Sequence, residues 1–225
     1  MLVDDLPIDK AGASVRQESR VRLKGELLRF VSRGGEKLEG ALEELAIDVT
    51  GLYCLDVGAS TGGFSDCLLQ RGATGVAAVD VGRGQLHEKL RQDPRVQNLE
   101  RTHARDLEAA SLAEPVGLVV VDVSFISARQ LLPNLALVAA GAPLLVMVKP
   151  QFEVGREQVG KGGVVRDDAL RGQAVDAVAA AASEHGYREA GRCESRLRGP
   201  KGNREVFLLL ERQDAGKRQP PEAGV

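Results

Sequence analysis

Aromatic side chains are scarce in this sequence: no Trp, two Tyr and five Phe, together 3% of 225 residues. Such a chain fills its core with Leu, Val and Ala, and it has no row of rings on which successive nucleic-acid bases stack. Cysteine is scarce as well. Cys54, Cys67 and Cys193 are too few and too scattered for a disulfide framework, and no two lie close enough in sequence to suit zinc. They read as buried thiols in a reducing compartment, and no metal is expected. The longest nearly apolar run, 135–148, is interrupted by Gly141 and Pro143 and falls short of the roughly 20 residues that span a bilayer. No basic-then-apolar leader opens the chain, where Asp4, Asp5 and Asp9 stand instead. A cytoplasmic protein without a membrane partner is therefore expected. Excess positive charge is also lacking: the formal net charge is -2, so any nucleic-acid surface must be local. The amino-terminal stretch with Arg16, Arg20, Arg22, Lys24, Arg29, Arg33 and Lys37 is the candidate, although a solvated face is the plainer reading of charge alone.

What is present is an ordinary globular balance, 43% hydrophobic and 28% charged residues, in a chain long enough for one well-buried domain and a small appendage. From about Gly51 onward, short apolar runs alternate with helical patterns. This is the signature of a doubly wound, mostly parallel α/β domain. Strands are expected at 53–57, 75–80, 118–123, 144–149 and 205–210, and helices at 63–70, 85–91, 128–138 and 168–185. Residues 1–30, with apolar and polar positions alternating around 14–23, suggest a small β unit. The domain proper spans 31–210, and 211–225, without periodicity, forms a tail. The Gly-rich, charged segment 151–168 reads as a long loop between a strand and a helix, and such loops are more often functional than idle.

The first strand of the domain runs into Gly58-Ala59-Ser60-Thr61-Gly62-Gly63-Phe64 and then a helix, which places a glycine turn at the carboxyl edge of the sheet. Ligands bind at that edge in open α/β folds. The next strand ends in Asp80 followed by Val81, about 20 residues beyond the loop, where an acid holds the ribose hydroxyls of an adenosine. A pyrophosphate cofactor needs G-x-G-x-x-G, and the spacing here is G-x-x-x-G-G. Asp56, before the loop, repels phosphate and attracts the ammonium and sulfonium of S-adenosylmethionine. The alternative is that these glycines only close a strand-to-helix turn. Both acids in register with the loop favour the cofactor.

Asp122 and Lys149 close two further strands, so that their charges project into the same crevice; taken alone, they also fit a salt bridge at a sheet edge. Base amino-group methylation employs an Asn/Asp-Pro-Pro-aromatic loop, whereas this sequence has Asp122-Val123-Ser124-Phe125. Carbon methylation of pyrimidines needs a nucleophilic Cys, yet Cys54 falls in a strand and Cys67 on a helix. An alcohol acceptor remains. Its proton must be removed, and a lysine serves as base where burial and a second cation favour the amine; Lys149 is the candidate.

Six segments resemble the TlyA, or hemolysin A, family of FtsJ-like ribose methyltransferases. They are Ser32-Arg33-Gly34-Gly35-Glu36-Lys37-Leu38, Asp56 to Phe64, Ala78-Val79-Asp80-Val81-Gly82, Asp122 to Ser127, Val148-Lys149-Pro150-Gln151-Phe152-Glu153 and Gly199-Pro200-Lys201-Gly202-Asn203-Arg204-Glu205. The resemblance covers about residues 30–210. It implies a seven-stranded Rossmann-like methyltransferase sheet, S-adenosylmethionine as donor, and 2′-O-methylation of cytidine in small- and large-subunit ribosomal RNA. It also implies a catalytic set of Lys37, Asp122, Lys149 and Glu205. In that set Lys37 is the second cation, and the two acids orient the two ammonium groups. Without the resemblance, an exposed helical residue would be the default for Lys37. Cofactor contacts are expected from Asp56, Gly58, Ser60, Thr61, Gly62, Gly63, Phe64, Asp80, Val81 and Asp122, and RNA contacts from Arg20, Arg22 and Arg33. The family carries a small RNA-binding domain before the catalytic one, and residues 1–30 resemble only its last portion. Two alternatives are a membrane-active hemolysin, for which no inserting segment is visible, and an inactive RNA-binding relative.

Overall fold

The computed structural model describes residues 2–7, 14–22 and 29–213, without the side chains of Pro7 and Arg22. The first two stretches form a small antiparallel sheet of β1 (Leu2–Val3), β2 (Leu6–Pro7) and β3 (Val21–Arg22), with β1 in the centre. The main domain then runs α1 (Arg33–Glu44), β4 (Tyr53–Val57), α2 (Gly63–Gln70), β5 (Gly75–Asp80), α3 (Glu88–Arg91), β6 (Val96–Glu100) and β7 (Leu118–Val121). It continues through α4 (Leu132–Val138), β8 (Leu144–Val148), α5 (Pro150–Glu153), α6 (Asp168–Ser183), β9 (Tyr187–Glu194) and β10 (Val206–Arg212).

Seven strands make one sheet in the order β6-β5-β4-β7-β8-β10-β9. The first five are parallel, and β10 runs antiparallel to both β8 and β9. Residues β4, β7 and β8 are buried throughout, which explains their continuous apolar sequence: strands covered on both faces show no alternation. Successive residues still point to opposite faces. Leu55, Val57, Val119, Val121, Val146 and Val148 join the core under α4 and α6. Cys54, Val120, Leu145 and Met147 join the one under α1 and α2.

The strand order reverses between β4 and β7, whose neighbours lead away in opposite directions, and the crevice at their carboxyl ends is where open α/β sheets bind ligands. Two strands end one or two residues before the sequence pattern suggests. Asp122 and Lys149 therefore lie just beyond β7 and β8. Pro150, which has no N–H to donate, opens α5 at its first position. Segment 151–168 is partly ordered by α5, a 3-10 turn at Arg156–Gln158 and an isolated bridge between Gly160 and Val164. The helix expected at 85–91 is confined to α3, and the one at 128–138 opens as a 3-10 turn before α4.

Candidate functional site

Helix α1 starts at Ser32, whose Oγ accepts a hydrogen bond from the N–H of Gly34. Its first turn is pressed against the start of α2. A Cβ at Gly35 would meet the Phe30 ring at 2.2 Å, while one at Gly63 would lie 2.2 Å from Ser32 Oγ and 3.2 Å from Gly34 Cα, so Gly63 permits a backbone contact that a larger residue prevents. This contact brings Lys37, one turn along, over the carboxyl end of the sheet. Lys37 is 7% exposed, and its Nζ lies 2.5 Å from Glu205 Oε2 in a buried ion pair. The exposed helical default is thus set aside. Beside it, Lys149 Nζ lies 2.5 Å from Asp122 Oδ1 and donates to Ser124 Oγ at 2.9 Å. All four expected catalytic residues line one cavity of about 270 Å³. Asp122 and Lys149 do form a salt bridge at the carboxyl edge of the sheet, and it lies on the cavity wall beside the Lys37–Glu205 pair.

A second cavity, about 390 Å³, continues from the first, sharing Gly58, Ser60, Asp122 and Ser124. Asp80 lies on its wall. One carboxylate oxygen accepts from the N–H of Ser60 at 2.8 Å and the other from Gly82 N–H at 2.7 Å, which ties the glycine turn to the end of β5. Gly58 has φ +87°, and a Cβ there would meet the Asp122 carbonyl oxygen at 2.4 Å. Only glycine lets the turn pass under the Asp122 backbone. Val81, Ile126 and Leu131 supply apolar wall, and Thr102 and His103 polar wall. A carboxylate for ribose hydroxyls, apolar faces for an adenine ring and the Arg33 guanidinium in the first cavity for a carboxylate together suit S-adenosylmethionine.

Of the expected cofactor residues, Gly58, Ser60, Thr61, Gly63, Phe64, Asp80, Val81 and Asp122 line these cavities. Two do not. Gly62 faces the other way, its Cβ position 2.1 Å from Leu90. Asp56 is fully buried and accepts a 2.6 Å hydrogen bond from Ser65 Oγ on α2. Strand alternation turns its side chain to the α2 face, along with Cys54. Burial raises its carboxyl to about 7; the Ser65 hydrogen bond opposes this, and the charge on Asp122 adds to it. The expectation that Asp56 attracts the cofactor's cations is corrected accordingly. Burial likewise pushes the Cys54 and Cys67 thiols up to about 12, which excludes either as a thiolate nucleophile at neutral pH.

The amino-terminal cations that are described have different surroundings, and Lys24 lies outside the described residues. Arg29 pairs with Glu39 at 2.5 Å and lies over the Phe30 ring. Arg33 opens α1 at the crevice rim. Arg20 is exposed, with its backbone N–H bonded to Asp4. Arg22 pairs through its backbone with Leu2, and its side chain lies outside the described part of the chain. Ser124, Thr102 and His103 are crevice residues that spacing alone does not single out. Ser124 stands inside the motif after Asp122 and is identifiable only once Lys149 is known to reach it.

Residues 30–212 match the model of the FtsJ-like methyltransferases. The chain belongs to this family. The TlyA protein of Mycobacterium tuberculosis, a 16S/23S rRNA (cytidine-2′-O)-methyltransferase, is 50% identical over 94% of this chain and 80% of its own length. Hemolysin A of Brachyspira hyodysenteriae is 43% identical over 80% of this chain and 76% of its own. The crystal structure of a hemolysin-named protein from Lactococcus lactis superposes with a TM-score of 0.79 at 41% identity, covering 82% of this chain and 89% of that one. This FtsJ-like methyltransferase therefore uses S-adenosylmethionine as methyl donor. No helix among its described residues is long and apolar enough to cross a membrane.

Proposed function

We propose that this FtsJ-like methyltransferase methylates a ribose 2′-hydroxyl of ribosomal RNA, at a cytidine within ribosomal subunits, and that it works in the cytoplasm. The observation that carries the reading is the pair of ion pairs, Lys149 with Asp122 and Lys37 with Glu205, meeting in the cavity beside the cofactor crevice. That set suits an alcohol acceptor, which must lose its proton as it is methylated. The 50% identity to an rRNA cytidine-2′-O-methyltransferase supports the choice of RNA and of ribose.

In this reading Asp80 would hold the ribose hydroxyls of the cofactor, Val81 and Ile126 would offer apolar surface to its adenine, and Arg33 would hold its carboxylate. Bound there, S-adenosylmethionine supplies an electrophilic methyl group. Lys149, as the amine, takes the hydroxyl proton and becomes an ammonium, while Asp122 and Ser124 fix its direction. Lys37, fixed by Glu205, adds a positive field at the oxygen that gains charge. The amino-terminal unit 1–30, with Arg20 and Arg22, provides an RNA contact for the catalytic domain at 31–210.

The test is transfer of labelled methyl to ribosomal subunits from cells lacking this protein, with mapping of the modified ribose. Wild type should label one or a few cytidine 2′-oxygens. Lys149→Ala should keep cofactor and RNA affinity and lose about 10²–10⁴-fold in turnover. Lys149→Arg should be no better, because a guanidinium keeps the charge but does not give up its proton. Near-normal turnover in the Arg variant would make Lys149 a positioning charge and end the general-base role. Binding of cofactor and rRNA without any transfer would identify an inactive RNA-binding relative.

A further inference from the structure

Away from the cofactor crevice, a third cavity of about 510 Å³ is walled by five cations: Arg166, Arg171, Arg198, Lys201 and Arg204. They come from two separate stretches, the end of the loop before α6 with the first turn of that helix, and the turn before β10. The acids in this neighbourhood are already engaged. Asp168 pairs with Arg171, and Glu194 lies 2.5 Å from Arg204. Arg166, Arg198 and Lys201 are exposed and have no carboxylate partner among the described residues. In a chain of net charge -2, five cations around one concavity against Asp168 and Glu194 are a local excess of positive charge.

The surface is preformed. Asn203, 3% exposed, accepts a hydrogen bond from the N–H of Val165 at 3.0 Å and donates to the carbonyl of Gly163 at 2.8 Å. It clamps the loop that carries Arg166 to the turn that carries Lys201. The turn itself is closed by Gly199 N–H to the Asn203 carbonyl and Gly202 N–H to the Gly199 carbonyl. The clamp holds the backbone that carries these cations, which lessens the loop entropy lost on binding.

Lys201 also lines a neighbouring cavity of about 290 Å³ together with Lys149, Glu205, Phe125 and Phe152. The basic cleft thus begins where the catalytic cavity ends. From this continuity we infer that the cleft formed by Arg166, Arg198 and Lys201 holds the phosphate backbone of the RNA strand that runs on from the nucleotide being methylated. The proposal rests on the rRNA reading above and adds a surface on the catalytic domain to the amino-terminal contacts. A polyanionic strand fits better than a lipid surface, because the exposed wall of the cleft is cationic and its valines are half-buried or buried.

The experiment replaces the three free cations together, as Arg166→Ala, Arg198→Ala and Lys201→Ala in one chain. A control chain carries Arg91→Ala and Arg95→Ala beside β6, at the edge of the sheet opposite β9. Binding of purified ribosomal RNA is measured over a salt series, with cofactor affinity and melting temperature recorded alongside. Each lost phosphate contact lowers the slope of log affinity against log salt by roughly 0.7–0.9, so the cleft variant should lose about 2–3 in slope. Its KM for ribosomal subunits should rise tenfold or more. Cofactor affinity should stay unchanged, and the control should match wild type. A slope and KM equal to wild type in a cleft variant that still binds cofactor would overturn the proposal. So would loss of binding to anionic vesicles with RNA binding intact. Should the triple variant fail to fold, Lys201→Gln alone should lower the slope by about 0.7–0.9. If wild type binds rRNA with the expected salt dependence but transfers no methyl, the catalytic reading fails and the cleft stands.

Discussion

At the scale of single residues, the buried Lys37–Glu205 pair is hard to justify by stability. Removing two charges from water costs more than their attraction returns in most buried pairs, and a well-packed apolar replacement is often as stable or more so. Its retention at the wall of the catalytic cavity fits a role in chemistry. Glu205→Ala should destabilise the fold by roughly 3–5 kcal/mol, since it leaves a buried ammonium unpaired. The double variant Lys37→Met with Glu205→Leu should recover most of that loss in denaturant titrations yet transfer no methyl. Recovery of activity along with stability would reduce the pair to a structural feature. Asp56 gives the opposite kind of buried charge. Its carboxyl titrates at about 7 in the folded chain against 3.8 as its ordinary value. The folded state therefore holds a proton that the unfolded state releases. The contribution is fully present below pH 3.8 and falls as pH rises toward about 7, where the folded group also ionises. Stability should decline across this window by up to about 1.4 kcal/mol per pH unit from this one group. Asp56→Asn, which cannot ionise, should flatten that decline. Parallel urea-unfolding profiles of the variant and wild type between about pH 5 and about pH 7 would remove Asp56 as its source.

At the scale of elements, the parts legible in the sequence are those whose pattern is enforced by burial on both faces. β4, β5, β7 and β8 read directly from their apolar runs, and their ends place Asp80, Asp122 and Lys149. The missed strands are the two sheet edges. β6, Val-Gln-Asn-Leu-Glu, has no fully buried residue, and β9 carries Arg188, Glu189, Arg192 and Glu194. Charges on edge strands oppose pairing with other chains, and they also erase the alternation by which a strand is recognised. The start of α1 carries two glycines, which mark a loop by propensity; Gly34 lies beside Gly63 of α2, and Gly35 makes room for the Phe30 ring. The resemblance supplied Lys37 and Glu205 where pattern could not. Val57 and Gly58, next along the chain, line the crevice, while the side chain of Asp56 alternates away from it, which sequence order alone does not reveal. The link between the loops after β7 and β8 was equally invisible. Glu153, at the end of α5, accepts from Ser127 Oγ at 2.5 Å, Ala128 N–H at 2.7 Å and Arg129 Nε at 3.2 Å. One buried carboxylate thus fixes the segment carrying Asp122 and Ser124 relative to Lys149.

At the scale of the whole molecule, the crevice is where independent parts of the chain converge. Its walls come from the start of α1, the turn after β4, the ends of β5 and β7, and the segment before β10. The two cores on opposite faces of the sheet must both be assembled before those walls stand together. The unfolded chain holds no such arrangement, so a ligand of the crevice binds only the folded state. At about 100 times its dissociation constant, such a ligand adds roughly 2.7 kcal/mol of stability. For a domain of this size each kcal/mol corresponds to about 2–4 °C in melting temperature. Saturating S-adenosylmethionine should therefore raise the melting temperature by about 5–10 °C. Asp80→Ala should remove most of that rise at the same cofactor concentration, because the ribose loses its charged acceptor. NAD and ATP should give none, since the turn after β4 lacks the glycine spacing that brings a pyrophosphate onto a helix terminus and acids line the crevice at Asp80 and Asp122. An equal rise with NAD would mean that the crevice recognises adenosine alone, and the charge argument for a sulfonium cofactor would be lost.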